Sequence, residues 1–248
     1  MAHILLSNDD GIHAEGIIAL YEALRKKHRV TVVAPSEQRS GAGHGITTHG
    51  GLRAEKTGIG FAVNGSPADC VLLGLCEIAP DAQIVVSGMN AGANLGADTH
   101  YSGTVSAAME GVFQRRPALA FSVYSGGKGF INSAYCGEIS AEIFDSFLQN
   151  PLPPGCLLNV NLPNLEAGER PEVVVAPLGF QQYHLAFTRL AGGEFLFTSG
   201  ASPEFLTEGS DGEALRSGKI VLTPLHWDMT AHAELPKAER IAKALKRA

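Results

Sequence analysis

Two adjacent carboxylates, Asp9 and Asp10, lie one residue after a short apolar segment, His3–Ser7. Neighbouring carboxylates repel each other, so the pair is costly unless a cation or solvent compensates it. The structural alternative is that Asp10 begins a turn with Gly11 and that Asp9 caps the next helix. No Gly-x-Gly-x-x-Gly motif follows this segment, which argues against a dinucleotide site. The pair therefore indicates a cation site or a capped turn.

Two later segments carry further oxygen donors. Residues 36–48 include Arg39 and Ser40, which can hold an anion or lend a hydroxyl to a metal ion, although this segment taken alone favours a plain surface loop. Residues 87–96 contain Asn90, Asn94 and three glycines after an apolar segment. Asparagine offers a carbonyl oxygen to a hard cation and an amide NH2 to a phosphate.

A fourth segment contains Ser102, Gly103 and Thr104 immediately before a predicted helix. Backbone N–H groups at a helix start bind anions readily, and the alternative is an ordinary Ser/Thr cap. Taken together, two carboxylates, a hydroxyl and a carboxamide are oxygen donors, which favour Mg²⁺, Mn²⁺ or Ca²⁺ over zinc. A hard cation beside an anion-binding helix start indicates metal-assisted hydrolysis of a phosphate ester, which the spacing does not name.

The elements that must position these residues alternate along the chain. Apolar segments predict strands at 3–7, 30–34, 84–87, 118–123 and 157–160, and helical periodicity predicts helices at 14–27, from Ser66 onwards, at 104–114 and at 131–148. This alternation predicts an α/β fold, a Rossmann-like, doubly wound and mostly parallel sheet over residues 1–175. Ligands of such sheets bind outside the carboxyl ends of the strands, where all four polar segments fall.

The C-terminal part, residues 176–248, follows a different pattern. Residues 183–190 and 194–198 flank two glycines and predict a β-hairpin, and residues 219–223 predict one more strand. Residues 237–248 predict a basic helix with a weak apolar stripe formed by Ala238, Ile241, Ala242, Leu245 and Ala248. We interpret residues 1–248 as one domain whose C-terminal extension packs on its own chain or on a second subunit.

Composition limits the possible partners and the compartment. The chain has 248 residues and a net charge of −6, which argues against a general nucleic-acid binder. Its four cysteines form no C-x-x-C motif and are typical of reduced cytoplasmic thiols. The N-terminus lacks the pattern of a signal peptide, and no apolar stretch is long enough to span a membrane. We therefore expect a cytoplasmic protein without nucleic-acid or membrane partners.

At the same residues the sequence resembles a known family, survival protein SurE. The resemblance is carried by S-N-D-D-G-I-H-A-E-G-I at 7–17, A-P-S-E-Q-R-S-G at 34–41, G-S-P-A-D-C-V at 65–71, V-S-G-M-N-A-G-A-N-L-G at 86–96, Y-S-G-T-V-S-A-A-M-E-G at 101–111 and T-P-L-H-W-D-M-T-A-H at 223–232. It covers nearly the whole chain. Glu15 and residues 43–46 depart from the family pattern, and the second departure concerns the substrate-facing loop.

The resemblance implies a metal-dependent 5′-nucleotidase that hydrolyses nucleoside monophosphates, with 3′-nucleotidase and exopolyphosphatase activities also found in the family. It implies one divalent metal ion per subunit, Mg²⁺ or Mn²⁺, with Ca²⁺ able to replace it in crystals. The implied metal ligands are Asp9, Asp10, Ser40 and Asn90. The implied phosphate contacts are Asn94, Ser102, Gly103 and Thr104. The resemblance further implies a homodimer or homotetramer in which C-terminal segments exchange between subunits.

Two alternative functions stay open from the residues themselves. The first is an aspartyl-phosphate phosphatase in which Asp9 or Asp10 is the nucleophile, which a trapped phosphoenzyme would reveal. The second is a nucleotide sensor with the same pocket, which would bind nucleotides without releasing phosphate. In the hydrolase, either Asp9 or Asp10 orients or deprotonates the attacking water.

Overall fold

The computed structural model describes residues 1–183, 185–199, 204–205 and 207–245. Its strands, in chain order, are β1 (His3–Ser7), β2 (Arg29–Pro35), β3 (Ala54–Lys56), β4 (Gly60–Val63), β5 (Ile84–Asn90), β6 (Ala118–Tyr124), β7 (Cys156–Pro163), β8 (Val173–Val175), β9 (Gln181–Gln182), β10 (Leu185–Arg189), β11 (Phe195–Ser199), β12 (Glu204–Phe205) and β13 (Ile220–His226). Its α-helices are α1 (Glu15–Leu24), α2 (Pro67–Leu73), α3 (Gly103–Phe113), α4 (Ser133–Gln149), α5 (Asp211–Arg216) and α6 (Leu235–Leu245).

Nine strands form the main sheet in the order β3-β4-β2-β1-β5-β6-β7-β13-β8. From β4 to β7 every neighbouring pair is parallel, whereas β3 and β13 run antiparallel to β4 and β7. The chain leaves β1 towards β2 on one side and later returns to β5 on the other, so the switch point of the sheet lies between β1 and β5. The predicted doubly wound, mostly parallel α/β sheet is confirmed.

The sheet has an apolar core on each face, because the strands alternate their side chains between the two layers. Ile4 and Leu6 of β1 belong to the core under α1 and α4, whereas Leu5 belongs to the core under α2 and α3. Helix α3 approaches the sheet closely, since a Cβ added at Gly111 would lie 2.7 Å from Cβ of Val85. This small-residue helix is thereby held directly over the strands whose ends form the switch point.

The predicted start of α2 is confirmed in atomic detail. Ser66 Oγ accepts a hydrogen bond from the Asp69 N–H at 3.0 Å, and Asp69 Oδ2 accepts one from the Ser66 N–H at 2.9 Å. Pro67 occupies the first turn, where its missing N–H costs nothing. The helix continues into a π-helical turn over Gly74–Ile78.

Several elements were not evident in the sequence patterns. Strand β3, A-E-K, is exposed and presents no apolar run that would predict a strand. Strand β4, G-F-A-V, is apolar but only four residues long, and it was not predicted. The short helix α5 and the strand β8 were also not predicted. The predicted strand at 219–223 is confirmed as β13, and it joins the sheet beyond β7 rather than standing apart from it.

The C-terminal extension contains the predicted hairpin, formed by antiparallel β10 and β11. A second small pair joins β9 and β12. The predicted C-terminal helix is α6, in which every described residue is exposed; Lys246, Arg247 and Ala248 of that prediction lie outside the described residues. Within the described part of the chain, no helix is long and apolar enough to cross a membrane.

Candidate active site

The acidic pair leaves the carboxyl end of β1 at the switch point of the sheet. The Asn8 side chain donates to Gly11 O at 2.9 Å and thereby closes the turn that holds both aspartates. Asp9 is buried and Asp10 is half-buried. The Ala91 N–H, just after β5, donates to Asp10 Oδ2 at 3.2 Å. The ends of β1 and β5 therefore meet at the acidic pair, as predicted.

The start of α3 packs directly against Asp9. The Thr104 hydroxyl donates to Asp9 Oδ1. A Cβ added at Gly103 would lie 2.7 Å from Cβ of Asp9, so only glycine permits this close approach. Ser102 Oγ caps the helix by accepting from the Val105 N–H at 3.0 Å. The predicted cap and the predicted contact of this segment with the acidic site both occur.

Burial raises the pKa of Asp9 from 3.8 to about 6; the hydrogen bond from Thr104 opposes this shift, and the negative charge of Asp10 adds to it. None of the ion pairs in the described part of the chain includes either aspartate. A buried carboxylate with an acidic neighbour and without a cationic side chain is an unfavourable arrangement, which a bound cation would relieve.

The loop that carries Ser40 lies against the same site. The Arg39 N–H donates to Asp9 O at 2.7 Å, which places the exposed Ser40 next to the acidic pair. Ser40 Oγ accepts a hydrogen bond from Gln38 Nε2 at 2.9 Å. The Gly43 N–H donates to Tyr101 O at 3.2 Å and so connects this loop to the start of α3.

The two predicted asparagines have different surroundings. Asn90, the last residue of β5, donates from Nδ2 to Gly92 O at 2.8 Å, and its Oδ1 accepts none of the described hydrogen bonds. Asn94 is buried and donates from Nδ2 to Ser122 Oγ at 2.8 Å, which leaves one amide hydrogen for a ligand. Asn90 thus offers a carbonyl oxygen, whereas Asn94 is already engaged with the neighbouring strand.

Sequence reasoning missed the residues that hold the loop after β5. Asn159 and Asn161 on β7 both donate to Asn94 O, at 2.9 and 3.0 Å. Asp211, the first residue of α5, accepts from the Gly96 N–H at 2.8 Å. The two asparagines interrupt the apolar segment L-L-N-V-N-L at 157–162 with period two, and this was the available signal.

The donor chemistry fits a hard cation. In the described residues, no group of three or more His, Cys, Asp or Glu side chains is placed to hold a metal ion. The oxygen donors gathered here are two carboxylates, a hydroxyl and a carboxamide, from Asp9, Asp10, Ser40 and Asn90. Such a set suits Mg²⁺ or Mn²⁺ and is poorly suited to zinc.

These features define a class: a doubly wound α/β protein with an oxygen-donor site at the switch point, facing a helix start. The family model of survival protein SurE matches residues 4–185. The chain therefore belongs to the survival protein SurE family.

Relatives of known name and structure cover almost the whole chain. The protein named 5′-nucleotidase SurE from Geobacter sulfurreducens is 43% identical over 239 residues, which are 94% of this chain and 91% of the relative. The protein of the same name from Moorella thermoacetica is 41% identical over 241 residues, covering 93% of this chain and 92% of the relative. The crystal structure of SurE protein from Aquifex aeolicus superposes with a TM-score of 0.86 at 35% identity, covering 97% and 99% of the two chains.

Proposed function

We propose that this protein is a metal-dependent 5′-nucleotidase that hydrolyses nucleoside monophosphates to nucleoside and phosphate. The observation that carries the proposal is the acidic pair of buried Asp9 and half-buried Asp10, which has no ion-pair partner among the described residues and lies against the start of α3. A cation site and an anion-binding helix start side by side are the two parts that hydrolysis of a phosphate monoester requires. The relatives named 5′-nucleotidase SurE, about 40% identical, support the same activity.

In this proposal Asp9, Asp10, Ser40 and Asn90 hold one divalent metal ion. Asn94, Ser102, Gly103 and Thr104 bind the phosphate. When bound, Mg²⁺ or Mn²⁺ supplies Lewis-acid chemistry, polarising a phosphoryl oxygen and lowering the pKa of water.

The protein's own groups orient the reactants and stabilise charge. The Gly103 N–H at the start of α3 donates to a phosphoryl oxygen, where negative charge increases in the transition state, because the Val105 N–H is already taken by the Ser102 cap and the Thr104 backbone by Asp9. Asp10 is the more exposed carboxylate, and we assign to it the orientation of the attacking water. Asp9 is fixed in place by the hydrogen bond from Thr104, and its carboxylate would serve as a ligand of the metal ion.

Phosphate release tests the proposal. Purified protein is treated with EDTA, dialysed, and assayed with 5′- and 3′-nucleoside monophosphates and polyphosphate, each with Mg²⁺, Mn²⁺ or Ca²⁺. We expect no turnover without metal and release from 5′-monophosphates with Mn²⁺ or Mg²⁺. Metal-independent turnover, or nucleotide binding without release, would overturn the proposal. The 3′ and polyphosphate arms define how broad the activity is.

We further propose a cytoplasmic homodimer or homotetramer built through residues 176–248. Exposed apolar side chains support this assembly, among them Phe187, Phe195 and Phe197 on the hairpin and Ile241 and Leu245 on α6. An apolar stripe on so short a helix needs a surface to cover it. All four cysteines are free, in keeping with a reducing compartment.

A further inference from the structure

A cavity of about 760 Å³ adjoins the candidate active site on the side of the loop that follows β5, and we call it the Tyr124 cavity. Ala91 and Gly92 form part of its wall. The same two residues contact the proposed metal ligands: Ala91 N–H donates to Asp10 at 3.2 Å, and Gly92 O accepts from Asn90 at 2.8 Å. The cavity therefore lies directly beside the proposed metal ligands. Its volume is typical of small-ligand sites.

The aromatic ring of Tyr124 lines the cavity, two residues further along β6 than the candidate site. Asn90 of β5 is level with Ser122 of β6, and Tyr124 follows two residues later on the same face of the strand. At about 3.3 Å per residue, Tyr124 lies roughly 7 Å further out than the proposed metal ligand. The residue is 47% exposed and lines the cavity, so its side chain is accessible to a ligand. The ribose of a nucleoside monophosphate joins the phosphate to the base and can span this distance.

Polar groups deeper in the cavity match the sugar of a nucleoside. Asp98 lines it, and its carboxylate accepts a hydrogen bond from the Tyr183 hydroxyl. Gln181 Nε2 holds this arrangement by donating to Leu95 O at 3.0 Å and to Tyr183 Oη at 3.2 Å. A carboxylate has several lone pairs and is the group that Rossmann-like sites use to accept ribose hydroxyls.

A second cavity, of about 780 Å³, also has aromatic walls, including Trp227 and Phe113. It fits the nucleoside less well, because none of the described hydrogen bonds joins its lining residues to Asp9 or Asp10. Its lining on α3 consists of Val105, Ser106, Met109 and Phe113, and does not include Ser102, Gly103 or Thr104.

We propose that the Tyr124 cavity binds the nucleoside of the substrate, with the base stacked on Tyr124 and the ribose hydroxyls bonded to Asp98. The inference rests on the proposed function, since it completes the binding site of the same nucleoside monophosphate. It makes Tyr124 a residue that distinguishes nucleotides from phosphate esters without a base.

Substrate discrimination tests the inference. The kcat/KM for AMP is divided by that for β-glycerophosphate, which has no base, in the native protein, Tyr124→Leu and Tyr124→Phe. Stacking on an aromatic ring predicts a roughly tenfold fall in this ratio for Tyr124→Leu, and the ring kept in Tyr124→Phe preserves the ratio within about twofold. An unchanged ratio in Tyr124→Leu would overturn the inference while leaving the nucleotidase proposal intact.

A binding measurement separates the two proposals. Saturation-transfer NMR with adenosine, which carries no phosphate, reports on the cavity whether or not the protein hydrolyses nucleotides. We expect saturation of the adenine protons in the native protein and in Tyr124→Phe, and a clear loss in Tyr124→Leu. Absence of transfer in the native protein overturns the inference, whereas failure to hydrolyse AMP with transfer present overturns only the proposed function.

Discussion

Asp9 shows how a single side chain balances folding against chemistry. It is buried beside a second carboxylate, and burial raises its pKa to about 6. Relative to the ordinary value of 3.8, a shift of this size corresponds to about 3 kcal/mol against the ionised form. A neutral side chain would make the metal-free fold more stable, but a neutral side chain is a poor ligand for a cation.

The pH dependence of stability should follow from this shift. The folded pKa of Asp9 exceeds the unfolded value, so the folded protein binds more protons between them, and the stabilisation present below about pH 4 is lost as the pH rises through about 6. In EDTA at pH 8 we expect Asp9→Asn to raise the free energy of unfolding, by up to about 3 kcal/mol. Urea denaturation at pH 4 and pH 8 measures both effects. Asp10→Asn, at the more exposed neighbour, is the control with a smaller gain.

The same substitution should remove the response to metal. Asp9→Asn takes away one ligand charge and keeps the shape, so turnover should fall by more than the roughly 10–100-fold typical of outer-shell changes. Addition of Mn²⁺ should raise the melting temperature of the native protein and leave that of the variant nearly unchanged. Full activity of Asp9→Asn would remove Asp9 from the proposed ligand set.

Gly103 and Thr104 are expected to act through Asp9 as well as through phosphate. Thr104→Val keeps the shape but removes the donor to Asp9, and a lost hydrogen bond to a charged group predicts a ten- to hundredfold loss of turnover. Gly103→Val should cost more, because its Cβ would lie 2.7 Å from that of Asp9. Each substitution should lower turnover by the same factor for every nucleotide, whatever its base. Gly51→Ala, where an added Cβ meets nothing within 4 Å, is the matched control.

At the scale of elements, Asp69, whose side chain completes the capping box of α2, also holds the loop that reaches the site. Asp69 accepts from the Ser66 N–H at 2.9 Å, from the Thr47 N–H at 2.8 Å and from the Thr47 hydroxyl at 2.7 Å. Burial alone would raise its pKa, but these hydrogen bonds hold the pKa of Asp69 below its ordinary value. One carboxylate thus fixes the start of a helix and the end of the loop that carries Ser40.

Two substitutions should separate the contribution of the α2 cap from that of the contacts to Thr47. Ser66→Ala removes one cap bond and should lower the free energy of unfolding by about 1 kcal/mol. Asp69→Ala removes the contacts to Thr47 as well and should lower it by about 2–4 kcal/mol. Urea denaturation measures both, and equal losses would show that the contacts to Thr47 add nothing to stability.

The same elements show what the sequence could predict and what it could not. Strands β1, β5 and β6 were evident because each is buried on both faces and reads as a continuous apolar run. The polar residues after β1 and β5 could then be placed together by the topology alone. Strand β3 lacks such a run, and the apolar run of β4 is only four residues long. The bonds from Asn159 and Asn161 to Asn94 join residues more than 60 positions apart. Local periodicity carries no information about such distant pairs.

For the whole molecule, the C-terminal helix α6 stands out because none of its described residues is buried. All described residues of α6 are exposed, with Leu235 at 48%, Ile241 at 66% and Leu245 at 75%. We expect the intact protein to be a homodimer or larger, and a chain that ends before Glu234 to dissociate or aggregate. Light scattering of both proteins measures this. A truncated chain with the mass of the intact oligomer would assign the assembly to other surfaces, the hairpin first among them.

The position of β13 in the sheet has a consequence for synthesis. Strand β7 pairs on one side with β6, which precedes it, and on the other with β13, which is made about 60 residues later. At about 5–20 residues per second, a ribosome needs several seconds to produce those residues. During that interval the nascent core carries an open strand edge with apolar neighbours, which is the kind of surface that other chains and chaperones bind.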